Sequence, residues 1–190
     1  MVVVVIAHYK ENLDWIKNLK YDYVIISKEK YEPEQIPNKG NEASSYLEYI
    51  IKNYDNLDEY TIFIHGHRSA WHHTENIDEK INRLTFEKQY FNINDNQLSG
   101  IGRGEGSYEK TELIYESLRK ILNMDIIIDK IYMRGSAQFY VHKNCILQHS
   151  KDTYIKLYNY LMETNETSAW TGRGFEYIWH YIFTLNYIDT

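Results

Sequence analysis

Residues 2–7 form an unbroken run of apolar, mostly β-branched side chains. No polar position interrupts the run, which predicts a strand covered on both faces, as in a parallel sheet. Residues 12–19 follow with Leu13, Ile16 and Leu19 in helical register, and residues 23–27 predict a second buried strand. Strand, helix, strand in that order favours parallel pairing. After a loop over 29–41 that holds both prolines, residues 42–54 place Leu47, Ile50, Ile51 and Tyr54 on one helical stripe. A third strand is predicted over 60–64, and Ile77, Ile81 and Leu84 mark another helix. Residues 92–107 read as a long polar, glycine-rich loop, of which 100–106 is expected to be a mobile loop or lid. Further on, 109–122 reads as helix, 137–142 as strand, and 153–163 and 175–185 as helices. Thr171-Gly172-Arg173-Gly174 is read as the turn between the last two. The pattern predicts one α/β domain over residues 1–190, a mixed sheet with helices on both faces, with no linker or repeat to divide it.

Composition narrows the classes. The chain has 190 residues, 43% hydrophobic and 25% charged, which suits one globular domain and excludes general disorder. The longest apolar run falls far short of the ~20 residues of a membrane span, and no signal-peptide pattern flanks it, so residue 1 is expected to open the mature domain. The single cysteine forms no internal disulfide, and a cytoplasmic setting is expected. A net charge of −6 argues against nucleic-acid binding through phosphate neutralisation. The 19 tyrosines fit either AT-rich coding or a sugar-stacking surface.

Four clusters could carry chemistry. His65-Gly66-His67-Arg68-Ser69-Ala70-Trp71-His72-His73 holds four of the 8 histidines at a strand's carboxyl end, where open α/β sheets bind ligands. His65 and His67, spaced i, i+2, can converge on one ion. Ser69 and Ala70 break the His-x-His-x-Asp-His hydrolase pattern, although His72 and His73 could bend back; ordinary loop hydrogen bonding is the other reading. Asn38-Lys39-Gly40-Asn41-Glu42 leads into a helix whose free amides suit an anion, and Gly40 and Asn41 are equally ordinary turn and cap residues. His8-Tyr9-Lys10-Glu11 leaves the first strand at the same sheet edge. Glu176 and His180, one turn apart beside the stripe of Phe175, Ile178, Trp179 and Ile182, form either an acid/base pair or a structural contact. The glycines of 100–106 lack the strand-to-helix setting of a dinucleotide fingerprint.

The ordered set Ala7-His8-Tyr9-Lys10-Glu11, Asn38-Lys39-Gly40-Asn41-Glu42-Ala43, Phe63-Ile64-His65-Gly66-His67 with Trp71-His72, Ala137-Gln138-Phe139-Tyr140-Val141, and Glu176 with Trp179 and Phe183 resembles a family of uncharacterised fungal and large-DNA-virus proteins. That family looks distantly similar to GT-A glycosyltransferases. The resemblance runs from about residue 3 to about residue 185. It implies a GT-A-like fold with a nucleotide-binding half over about residues 1–70 and an acceptor side over about 71–190. It also implies transfer of a sugar from a nucleoside-diphosphate donor, UDP-type, to a glycan or protein acceptor, in a host cytoplasm if the protein is viral. The metal motif of such enzymes, Asp-x-Asp, is replaced by His65-Gly66-His67, so a divalent ion would be Mn²⁺ rather than Mg²⁺. On this reading His8, Tyr9, Glu11, Lys39 and Arg68 hold the nucleotide and its phosphates, His65 and His67 the metal, and Glu176 with His180 supplies the base. A His-rich metal-dependent hydrolase and a non-catalytic nucleotide- or sugar-binding module are the alternatives.

Overall fold

The computed structural model describes residues 1–29, 36–95, 98–100, 108–123, 132–134 and 137–184. Along the chain come β1 (Val2–His8), a short 3-10 segment (Asp14–Asn18), β2 (Asp22–Ser27), α1 (Glu42–Asn53), a second 3-10 segment (Tyr54–Asn56), β3 (Tyr60–His65) and α2 (Ile77–Asn82). Then follow β4 (Tyr90–Asn92), β5 (Leu98–Gly100), α3 (Tyr108–Leu122), β6 (Tyr132–Arg134), β7 (Phe139–His142), α4 (Lys143–Leu147), α5 (Lys151–Glu163) and α6 (Ser168–Thr184). Among the described residues, five strands make one mixed sheet in the order β2-β1-β3-β7-β4. β1 lies parallel to both β2 and β3, while β7 runs antiparallel to β3 and β4. β5 and β6 pair as a separate antiparallel ribbon.

The unbroken apolar run of β1 has its explanation in this arrangement. Val3, Val5 and Ala7 join the core built with α1, α3, α5 and α6, whereas Val4 and Ile6 join the opposite core with Trp15, Ile77 and Ile81. An interior strand with cover on both faces has no position left for a polar residue. β2 differs from expectation: it is the sheet's edge, only its last residues are buried, and Tyr23 is exposed.

The largest departure is at 171–174. This segment is not a turn between helices but lies within α6. Its glycines serve close packing instead. A Cβ on Gly172 would lie 2.5 Å from Asn41 Nδ2, and one on Gly174 would lie 2.4 Å from Ile114 Cγ2. Two short elements, β4 and α4, were invisible to periodicity because three and five residues give no repeat. The predicted loop over 92–107 contains β5, and the lid reading of 100–106 falls, from residue 101 on, outside the described residues. Among the described residues no helix is long and apolar enough to cross a membrane.

Candidate functional site

Three parallel strands end side by side: His8 of β1 pairs with Ser27 of β2, and Ala7 pairs with His65 of β3. A cavity of about 760 Å³ opens at these carboxyl ends. His8, Tyr9 and Glu11 line it after β1, Lys28 after β2, and His65, His67, Trp71 and His72 after β3; Asn41 and Glu42 enter from α1, and Arg173 and Glu176 from α6. The start of α1 reaches it through Gly40 (φ 71°) and Asn41 (φ 49°). Gly40 has no room for a side chain, since a Cβ would meet Leu161 Cδ2 at 2.3 Å. The contact of Gly172 with Asn41 then brings α6 against the same turn, so Glu42 and Glu176 face one cavity.

The first-strand exit is tied down from within. His8 Nδ1 lies 3.1 Å from Ser27 Oγ, and its Nε2 lies 3.2 Å from the Glu11 carbonyl. Glu11 Oε2 accepts hydrogen bonds from the backbone N–H groups of Tyr9 (2.7 Å) and Lys10 (3.1 Å). Burial opposes the Glu11 charge, yet these amides and the nearby His67 hold its carboxyl below the usual range. Glu11 Oε1 stands 3.7 Å from His67 Nδ1. Gly66 permits this approach, because a Cβ there would come within 2.9 Å of Glu11 Oε2.

His65 Nε2 and His72 Nε2 are 3.1 Å apart. Such a pair needs one nitrogen protonated and the other bare, which disfavours two cationic rings. Burial first, and then the neighbouring His72, His67 and His73, push the His65 pKa down to about 3. Among the described residues no group of three or more His, Cys, Asp or Glu side chains stands ready to hold a metal.

The charged heart of the cavity joins Lys28, which the sequence patterns did not single out, to Glu42, which they named only as the end of the 38–42 cluster. Lys28 is only 6% exposed, and burial lowers its pKa to about 8 against the pull of Glu42 and Glu11. Its Nζ has a long 3.5 Å contact to the Lys39 carbonyl. Glu42 shows part of its surface to the cavity and is otherwise enclosed by protein. Burial, reinforced by the negative charge of Glu176, raises its pKa to about 7. Lys28 was findable by the rule that singled out His8 and His65, a polar residue directly after a buried strand. Arg173 was hidden by the reading of 171–174 as a turn.

Three sequence-proposed residues are placed elsewhere. Lys39 donates from Nζ to the carbonyls of Met162 (2.8 Å) and Thr164 (2.5 Å), satisfying the end of α5. Arg68 forms a two-pronged bond to Asp78, Nε to Oδ1 and Nη2 to Oδ2, both 3.0 Å, and so anchors the loop after β3 onto α2. His180 does not line the cavity; burial lowers its pKa to about 4, and its ring packs on Tyr181. His8, Tyr9, Glu11, His65, His67 and Glu176 are brought together.

The chain belongs to a family whose profile matches residues 3–190 and is described as "Protein of unknown function (DUF3431)". No curated protein and no solved structure matches it.

Proposed function

We propose that this member of the DUF3431 family transfers a glycosyl group from a nucleoside-diphosphate sugar to an acceptor hydroxyl. The observation that carries the reading is one cavity, at the carboxyl ends of three parallel strands, that joins a buried cation, Lys28, and an exposed one, Arg173, to a pair of carboxyl groups. The GT-A resemblance of the sequence supplies the class; the cavity supplies the groups.

Glycosyl transfer asks for stabilisation of the departing diphosphate and removal of a proton from the acceptor. Lys28 and Arg173 are the cations for the diphosphate, in place of Lys39 and Arg68. His8, Tyr9 and Glu11 form the wall for the nucleoside, with Glu11 shaping the backbone as well as facing the ligand. The bond from the anomeric carbon to the diphosphate oxygen breaks with its electron pair leaving on the diphosphate. The acceptor oxygen bonds to that carbon, and its proton passes to the Glu176 carboxylate. Glu42, protonated up to about pH 7, spares the site a second negative charge beside the leaving group. His180, half-buried and not among the cavity's lining residues, takes no part in the step written here.

Calorimetric titration with UDP, UDP-sugars and GDP-sugars, with and without Mn²⁺, tests the reading. Binding of a nucleoside diphosphate is the expected result. Absence of heat from every one of them, under both conditions, would sink it.

A further inference from the structure

Almost every aromatic ring described in this protein is buried or partly buried. Tyr9, Tyr23 and Trp71 are the large aromatic side chains exposed among the described residues, and two of them, Tyr9 and Trp71, line the same cavity. Trp71 is 78% exposed, the largest apolar ring the described surface offers to water. An indole held in water forgoes the gain of burial, about 25 cal/mol per Å² of apolar surface.

The backbone that presents Trp71 is tied on both sides. Before it, Trp15 Nε1 donates to the Gly66 carbonyl (3.1 Å), and Arg68 binds Asp78. After it, the His73 amide donates to the Ala70 carbonyl (3.2 Å), and the amide of Asp95 donates to the His72 carbonyl (3.0 Å). The Thr74 amide donates to Asp95 Oδ2 (2.6 Å). His72 and His73, each 7% exposed, are packed inward, and the His72 ring meets Trp71 edge-on with centroids 5.4 Å apart. A buried neighbour on a pinned turn leaves the indole projecting at the cavity wall.

We propose that Trp71 is the stacking platform for a saccharide acceptor, on which one face of a sugar ring lies while its hydroxyls reach the polar wall of the cavity. This rests on the transferase reading above and narrows its acceptor from glycan or protein to glycan. A pyranose presents an apolar C–H face and a rim of hydroxyls, which matches a single flat ring beside Asn38, Asn41, Ser69 and Ser168. A protein acceptor would call for a continuous docking surface of roughly 800 Å² per partner, whereas Trp71 stands as one ring amid polar groups. Tyr9, at the exit of β1, is left as the ring for the nucleobase.

Selective ¹⁵N labelling of the indoles reads the platform directly. The chain has 4 tryptophans, and Trp71→Phe identifies the Nε1–H signal of Trp71. Titration of the intact protein with cellopentaose, maltopentaose and chitopentaose is expected to shift that signal with at least one of the three. Trp71→Ala is expected to weaken binding of that saccharide about tenfold, equal to about 1.4 kcal/mol, and Trp71→Phe to weaken it only about threefold. Both variants are expected to bind UDP within about twofold of the parent. A Trp71 signal unmoved by all three saccharides overturns the proposal. So does an about tenfold loss of UDP affinity in Trp71→Ala, which would seat the nucleobase on the indole. UDP binding by the parent, measured in parallel, separates the two readings. UDP bound without a saccharide leaves the transferase and ends the platform; a saccharide bound without UDP ends the transferase and leaves the platform.

Discussion

Lys28 and Glu42 are titratable groups set in a nearly dry place, and burial is the largest influence on the state of each. Lys28 stays cationic to about pH 8 because Glu42 and Glu11 offset part of the cost of its burial. Replacing it with the similarly shaped methionine removes the cation without opening a hole. Lys28→Met is expected to weaken UDP binding at least about tenfold, the loss of a hydrogen bond to a charged group. Its melting temperature should stay level or rise, since removing a buried charge often stabilises. Unchanged UDP affinity by calorimetry would move the diphosphate elsewhere. Glu176→Gln keeps shape and removes the base. It is expected to leave nucleotide affinity within about threefold and to lower turnover by at least ~10²-fold, the floor for lost general-base help. A shifted melting temperature with unaltered turnover would make Glu176 a structural residue.

Helices α1 and α6 make the site by approaching closely. Gly172 and Gly174 cost α6 about 1 kcal/mol each relative to alanine in helix propensity. They are present because Asn41 and Ile114 occupy the space a Cβ would need. Gly172→Ala therefore sets a propensity gain of about 1 kcal/mol against overpacking of about 1–3 kcal/mol. The net expectation is a lower urea midpoint together with weakened catalysis, because the displaced helix carries Glu176 away from Glu42. A raised midpoint would show that the helices yield without strain. Gly66 plays a similar part between β3 and the exit of β1. The Glu11 side chain fills its space and is held there by two backbone amides, so it cannot swing aside freely.

At the scale of the whole molecule, buried titratable groups set the response to acid. Glu42 keeps its proton to about 7, against 4.5 in the unfolded chain. Its contribution to stability is full below pH 4.5 and is lost as pH rises through 7. Burial holds His65 and His180 neutral down to about 3 and about 4, against an ordinary 6.5. Their contribution is full above pH 6.5 and is lost as pH falls through those lower values. Between pH 6.5 and 4.5 these two histidines oppose one carboxyl, and His72, His142 and His149, which burial also lowers, act in the same direction as the two. At about 1.36 kcal/mol per unit, the folded state is expected to lose at least about 2 kcal/mol across that window. Melting temperatures from pH 7 to 4.5 measure this. Glu42→Gln removes the opposing group, so its melting temperature should fall more steeply with acid than the parent's; an identical slope would show that Glu42 titrates normally.

The run over residues 2–7 and the order strand, helix, strand were enough to place β1 inside a parallel sheet, because a strand buried on both faces leaves an unmistakable pattern. The polar residues at strand ends likewise marked His8, Glu11 and His65 as neighbours, since the carboxyl edge of such a sheet gathers them. Glu176 was reachable from its place beside a helical stripe. Pairing it with Glu42 was not, because residues 42 and 176 are brought together only by the close packing of α1 and α6. Lys39 and Arg68 carry the right charge in the right segments, yet the carbonyls of α5 and the Asp78 carboxylate compete for them. Glycine in 171–174 is ambiguous in sequence, since the same residue that breaks helices also lets them touch. Local pattern thus determined the central strand β1 and the edge on which the cavity opens, though not the edge strands β2 and β4. Which charged groups face that cavity was decided by tertiary packing, because long side chains go to whichever partner the fold puts within reach.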